Sequence, residues 1–165
     1  MPSSGSFHLA GEDVSSLGED QLAEVRNRHI GFVFQQFNLL PFLTAWRNVE
    51  LPLVYAGLER AERRARALDA LEQVGLADRA DHRPGGSPVV SSNVAVARAL
   101  VTEPALILAD EPTGFNLDSA STHDVLDLFQ ELNRRARTVV LITHEPDVAA
   151  QAAARSDPRR AGVVG

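Results

Sequence analysis

Two apolar runs of strand length each end at a residue that can do chemistry. Residues 105–110 read ALILAD and are followed by Glu111; residues 138–143 read TVVLIT and are followed by His144. Runs without polar alternation suit strands buried on both faces, the habit of parallel sheets. A third run, IGFVF at 30–34, has the same character. Helical patterns separate the three. Residues 19–28 place Leu22 and Val25 on one face, and residues 59–74 repeat Ala65, Leu68, Leu71 and Val74 at helical spacing before Gly75. Further helices are expected at 94–101, from Asp118 or Ser119 to about 135, and at 145–154. Residues 44–56 start helically but meet Pro52. Strands alternating with helices predict an α/β fold with a parallel sheet covered on both faces. A short strand is expected at 6–10, and an irregular tail at 155–165.

Composition narrows the function. The chain has 165 residues, enough for one domain with a real core, and no internal repeat. It has no cysteine, which excludes disulfides, thiolate metal sites and cysteine nucleophiles. The net charge of −6 argues against a nucleic-acid partner, which would need a basic face. No apolar run reaches membrane-spanning length and the polar start does not resemble a signal peptide, so a cytoplasmic location is expected. All 16 basic residues are arginine. A mechanism that needs a lysine cannot be completed by these residues. The arginine-rich side of residues 59–74 reads as a solvated face.

Ligands of parallel α/β sheets bind beyond the carboxyl ends of the strands. Asp110 and Glu111 would lie at that edge. One could hold Mg²⁺ through water while the other orients or deprotonates a nucleophilic water. Two acids at a strand end fit a solvated terminus equally well, and a histidine after a strand is common. The turn PTG, the NLD that follows at 116–118, and His144 at the tip of the next strand favour the chemical reading.

Five segments together carry a resemblance: PSSG with HLAGEDVSSL, IGFVFQQFNLLPFLTAWRNVELPLVYAG, RRARALDALEQVGLADRADHRP, VAVARALVTEPALILADEPTG and TVVLITHEPDVA. In order and spacing the chain resembles the ATP-binding subunit of ABC transporters, in the group serving macrolide export and lipoprotein release. The resemblance implies an ABC-type P-loop ATPase domain with a helical subdomain at about 36–100. It implies ATP and Mg²⁺ as cofactors, a second ATPase subunit as dimer partner, and a membrane permease partner docked through about Phe37 to Glu50. The protein would then sit on the inner face of the plasma membrane. Gln35 matches the Q-loop glutamine that senses Mg²⁺ and nucleotide. Asp110 matches the metal-supporting Walker B aspartate, and Glu111 the catalytic glutamate. Asp118 matches the D-loop aspartate that communicates across the dimer, and His144 the switch histidine at the γ-phosphate. The apolar stretch of Phe37, Leu39, Leu40, Phe42 and Trp46 suits a partner surface, and suits subdomain core as well. Chromosome and DNA-repair ATPases of the same superfamily carry long coiled coils, which these residues do not.

Three departures bear on activity. The family's phosphate loop, Gly-x-x-x-x-Gly-Lys-Ser/Thr, does not occur in these residues, and the expectation is a domain truncated ahead of Met1, with apolar surface such as IGFVF left partly uncovered and prone to aggregation. The signature LSGGQQQR is not readable, because GGSPVVSSN stands at 85–93. Read two bases late, the codons allowed for those nine residues permit Arg-Leu-Ser-Gly-Gly-Gln-Gln-Gln. A one-base shift over residues 152–164 likewise permits a string ending in Asp-Gly-Arg-Val. Both point to small frame disruptions. Lastly, Phe115 is inserted into what should read TGNLD. The expected function is therefore that of an ATP-hydrolysing transporter subunit, inactive as this chain stands. The competing readings are a non-catalytic permease-docking module and a decaying gene product.

Overall fold

The computed structural model describes residues 7–112, 119–135, 137–155 and 163–164. Strands β1 (His8–Leu9) and β2 (Glu12–Asp13) form an antiparallel hairpin. Ala10 and Gly11 both take positive φ, as a tight hairpin turn demands. The expected strand at 6–10 is thus a two-residue strand plus half of a turn. Helix α1 (Glu19–His29) leads directly into β3 (Ile30–Val33). Pro52 does not interrupt one helix but opens a second. Helix α2 (Ala45–Val49) stops at Glu50, and α3 (Leu51–Tyr55) begins with proline in its first turn, where no intrahelical donor is lost.

Helix α4 (Arg60–Gln73) ends at Gly75, whose φ of +74 closes it. Its buried stripe is Ala67, Ala70 and Leu71, with Val74 just beyond; Ala65 is exposed, one step outside the expected face. Its arginines are not all solvated either. Arg63 Nε donates to Glu50 Oε2 at 3.0 Å, and the Arg64 guanidinium lies 5.2 Å from the Trp46 ring centre. Glu50 is only 4% exposed, so Arg63 neutralises a buried charge rather than facing water.

Helix α5 (Pro88–Leu100) starts six residues earlier than the turn-rich sequence suggests. Pro88 at its first turn is pre-set for the helix, and Ser91 Oγ bonds back to the Ser87 carbonyl. Strand β4 (Leu106–Asp110), helix α6 (Ser119–Arg134), strand β5 (Thr138–Ile142) and helix α7 (Pro146–Arg155) follow. The tail is not wholly irregular: Val163–Val164 form β6, parallel to the end of β5.

The four-stranded sheet runs β3-β4-β5-β6, all parallel. Register puts Gly31 beside Ile107, and Val33 beside Ala109, which in turn pairs with Leu141. These residues share one buried face, packed against α5 and α6 through Val94, Ala97, Val125 and Phe129. The opposite face carries Phe32 and Ile142, 38% and 43% exposed, with Phe34 stacked on Phe32 at 5.8 Å. Among the described residues the sheet is therefore covered on one face, not two. Apolar residues occupy both faces because a strand of a doubly covered sheet needs them, whichever residues supply the cover. An open apolar face of this kind attracts hydrophobic dye and promotes self-association. Dye fluorescence and light scattering of the purified chain should both fall in the Phe32→Thr/Phe34→Thr double variant. An unchanged dye signal would locate the sticky surface elsewhere.

Candidate functional site at the carboxyl edge of the sheet

Because the strands are parallel, their carboxyl ends emerge on one edge. Gln35 follows β3, Asp110 ends β4 with Glu111 after it, and Thr143 and His144 follow β5. Gln35 and Asp110 are exposed there. Glu111 and His144 are in direct contact. Asp118, the remaining predicted site residue, and the inserted Phe115 lie outside the described residues.

Glu111 is the most constrained of the group. Its φ of +45 is left-handed, a conformation that non-glycine residues adopt at a cost. The turn is held because its N–H donates to the Ile142 carbonyl at 2.9 Å, continuing the ladder one residue past the strand. The side chain folds toward β5, and the residue is 9% exposed. Oε1 accepts from the His144 backbone N–H and lies 2.7 Å from His144 Nδ1. Oε2 accepts from Thr143 Oγ1 at 3.2 Å. A carboxylate against Nδ1 selects the tautomer with its proton there, leaving Nε2 facing outward on a ring whose side chain is 79% exposed.

A carboxylate has about four lone-pair positions, and three are taken here. The one left on Oε2 can accept a proton from a water in front of the strand ends. Glu111 is thus fixed in direction and retains one open acceptor, which is what a water-orienting base needs. Thr143 is a contributor the sequence reading passed over. Its hydroxyl accepts from the Glu145 N–H at 3.1 Å, so its single proton is committed to Glu111. The only hint in the sequence was a hydroxyl residue directly before His144.

The donor set also bears on a cation. Among the described residues no three acidic or histidine side chains converge. The exposed Asp110 carboxylate and Gln35 amide supply hard oxygens, suited to Mg²⁺ that keeps most of its shell as water and phosphate. A cleft of about 610 Å³, lined by Asn27, Arg28, Leu53, Tyr55 and Thr102, lies elsewhere. Asn27 and Thr102 precede β3 and β4, which puts that cleft at the opposite edge of the sheet. The segment at 85–93 forms a turn with Gly86 at φ +81, then the first turns of α5. Within it, Ser92 Oγ is buried and has no hydrogen-bond partner.

The profile of the ABC transporter family matches residues 1–114. The chain is 55% identical over 152 residues to an ABC transporter ATP-binding protein of Bacillus subtilis, YknY, covering 90% of this chain and 64% of that one. It is 50% identical over 155 residues to the macrolide export ATP-binding/permease protein MacB of Burkholderia thailandensis, covering 92% of this chain and 23% of that one. Among solved structures it superimposes on the dimeric ATP-binding cassette MJ0796 bound to ADP and Pi with a TM-score of 0.71 at 42% identity, covering 90% of this chain and 66% of that one. It spans under two thirds of the length of both YknY and the MJ0796 cassette. Among the described residues no helix is long and apolar enough to cross a membrane. With the family profile over most of the chain and a shared fold at high identity, this chain belongs to the ATP-binding domains of the ABC transporter family.

Proposed function

We propose that these residues form the water-activating and metal-facing part of an ATP site in a transporter that exports or extracts its cargo through a membrane permease. The observation that carries the reading is the Glu111–Thr143–His144 constellation at the sheet edge. Glu111 orients and deprotonates the attacking water through its free Oε2 position. His144 presents Nε2 outward toward the γ-phosphate. Asp110, through water, and Gln35 would hold Mg²⁺, which would supply neutralisation of charge on the phosphates. Asp118 communicates with a second ATPase subunit, as family resemblance implies. The helical segment at about 36–100 carries the permease contact, from Phe37 to Glu50, where Leu40 and Phe42 are exposed. The assembly sits on the inner face of the plasma membrane through that contact.

The phosphate-cradling part of the site is a different matter. No Gly-x-x-x-x-Gly-Lys sequence and no lysine occur in these 165 residues. Such a loop supplies backbone N–H groups and a cation to the phosphates. The segment at 85–93 offers a poor signature, and its buried, unpartnered Ser92 hydroxyl fits a stretch not selected for its place. The 165-residue chain is therefore inactive as it stands. Titration with Mg²⁺-ATP should show no saturation below about 1 mM, an affinity near −4.1 kcal/mol, and no phosphate release above background. Turnover that disappears in Glu111→Gln would overturn this. The second reading, a docking module without hydrolysis, rests on the same exposed Leu40 and Phe42. ATP-independent capture of the permease would favour it.

A further inference from the structure

Two consecutive non-glycine residues, Phe37 and Asn38, adopt left-handed backbone with φ of 57 and 45, immediately after Gln35 and Gln36. Each is disfavoured alone, so something must hold the pair. Their own side chains give little help: Phe37 is buried, but Asn38 is exposed. Within the turn the Phe37 N–H donates to the Phe34 carbonyl at 2.9 Å and the Asn38 N–H to the Gln36 carbonyl at 2.6 Å, and a further restraint comes from 60 residues away. Arg98 Nη2 donates to the Phe37 carbonyl and Nη1 to the Asn38 carbonyl, both at 2.7 Å. Each guanidinium nitrogen takes one carbonyl, a match to the planar fork that an ammonium cannot reproduce. Burial pushes the Arg98 pKa below its ordinary value, yet arginine remains charged, and the two carbonyl dipoles replace lost water. One residue further along α5, the Ala99 carbonyl abuts Gly31 of β3 so closely that a Cβ there would lie 2.2 Å from it. Helix α5 thus touches β3 and grips the turn that leaves it.

We propose that Arg98 is a positioning residue, tying the Gln35–Asn38 turn to helix α5. Movement at the start of α5, the 85–93 segment, then displaces Gln35 and the exposed Leu40 and Phe42 together. The functional sense of this tie rests on the reading above, in which Gln35 faces nucleotide and Leu40 and Phe42 face a partner. The tie itself is tested without either.

Amide hydrogen exchange by NMR on the full chain, with no nucleotide added, reads it directly. In Arg98→Met the Phe37 and Asn38 amides should exchange about tenfold faster, equivalent to 1.4 kcal/mol of lost local protection. The Leu108 and Val140 amides in the sheet should keep their rates. Arg98→Lys should fall between, and it carries the test if the methionine variant does not fold. Pro88→Gly, which frays the start of α5, should accelerate Phe37 exchange in the native chain but add nothing in Arg98→Met. Unchanged Phe37 and Asn38 rates, equal acceleration of all amides, or strictly additive effects of the two substitutions would each overturn the proposal. Failure of ATP to bind leaves these outcomes untouched, so the two readings fail separately.

Discussion

Gly31→Ala is expected to cost about 3 kcal/mol or more, a large fraction of what holds a domain of this size together. The added Cβ would sit 2.2 Å from the Ala99 carbonyl oxygen and 2.9 Å from its carbon, both backbone atoms of α5. Neither can rotate away. Relief requires α5 to withdraw by roughly 1 Å along its contact with β3, which forfeits dispersion contacts beside Val33 and Ile107. Those residues are 1% and 0% exposed, so the loss falls in the middle of the core. Urea unfolding measures it. Gly85→Ala is the paired control, because nothing lies within 4 Å of its Cβ and its backbone is not left-handed; it should stay within about 0.5 kcal/mol of the parent. Ala99→Gly should not rescue Gly31→Ala, since the obstacle is the carbonyl and not the methyl. A Gly31→Ala protein as stable as the parent would mean that α5 and β3 are less closely packed than a 2.2 Å approach requires.

That close approach also explains how much of this molecule could be read in advance. The apolar runs at β3, β4 and β5 declared a parallel sheet, and the sheet in turn placed Asp110, Glu111 and His144 on one edge, while Gln35 was marked only by the family resemblance. Strand direction did most of that work, since it needs only the apolar pattern and the residue at the end. What escaped was set by contacts between distant residues. The helix expected from 94 begins at Pro88 instead, because the fixed proline torsion suits a first helical turn that the turn-rich composition around it conceals. Arg63 looked solvated because helical periodicity cannot reveal Glu50 across the interface. The grip of Arg98 on two carbonyls leaves no trace in residues 37 and 38, because the accepting atoms belong to every backbone. Of the two expectations for the sheet, cover on both faces and a partly uncovered IGFVF, the described residues meet the second. Composition reports what a strand is built to be buried by, and not which residues do the burying.

Asn48 supplies the second large effect, and its sign depends on which atom is changed. It is fully buried on α2 and closes the loop at 40–44 together with the bond from the Leu43 N–H to the Leu40 carbonyl at 3.1 Å. Oδ1 accepts from the Leu40 N–H at 2.7 Å, while Nδ2 donates to the carbonyls of Leu40 and Thr44, both at 3.1 Å. Asn48→Ala strands a backbone donor and weakens two acceptors, an expected loss of about 2–4 kcal/mol. Asn48→Asp keeps the acceptor but turns a second oxygen toward carbonyl oxygens and buries an unpaired charge, so at pH 7 it should cost about 3–5 kcal/mol. The introduced acid would have a folded-state pKa raised above its unfolded value of about 3.9. Its penalty is therefore small while both states are protonated and grows as pH rises from about 4 toward neutrality. Thermal unfolding at pH 4.5 and pH 7, each against the parent chain at the same pH, should show Asn48→Asp less stable than Asn48→Ala at pH 7, with the gap closing or reversing at pH 4.5. Trp46, the single tryptophan and two residues away, reports the transition by fluorescence. Equal, pH-independent losses in the two variants would mean that the Nδ2 bonds contribute nothing. The same loop carries the exposed Leu40 and Phe42. If it is the permease-facing surface, Asn48→Ala should abolish capture of the permease at temperatures where the rest of the chain is still folded, because the surface depends on a side chain that never reaches it.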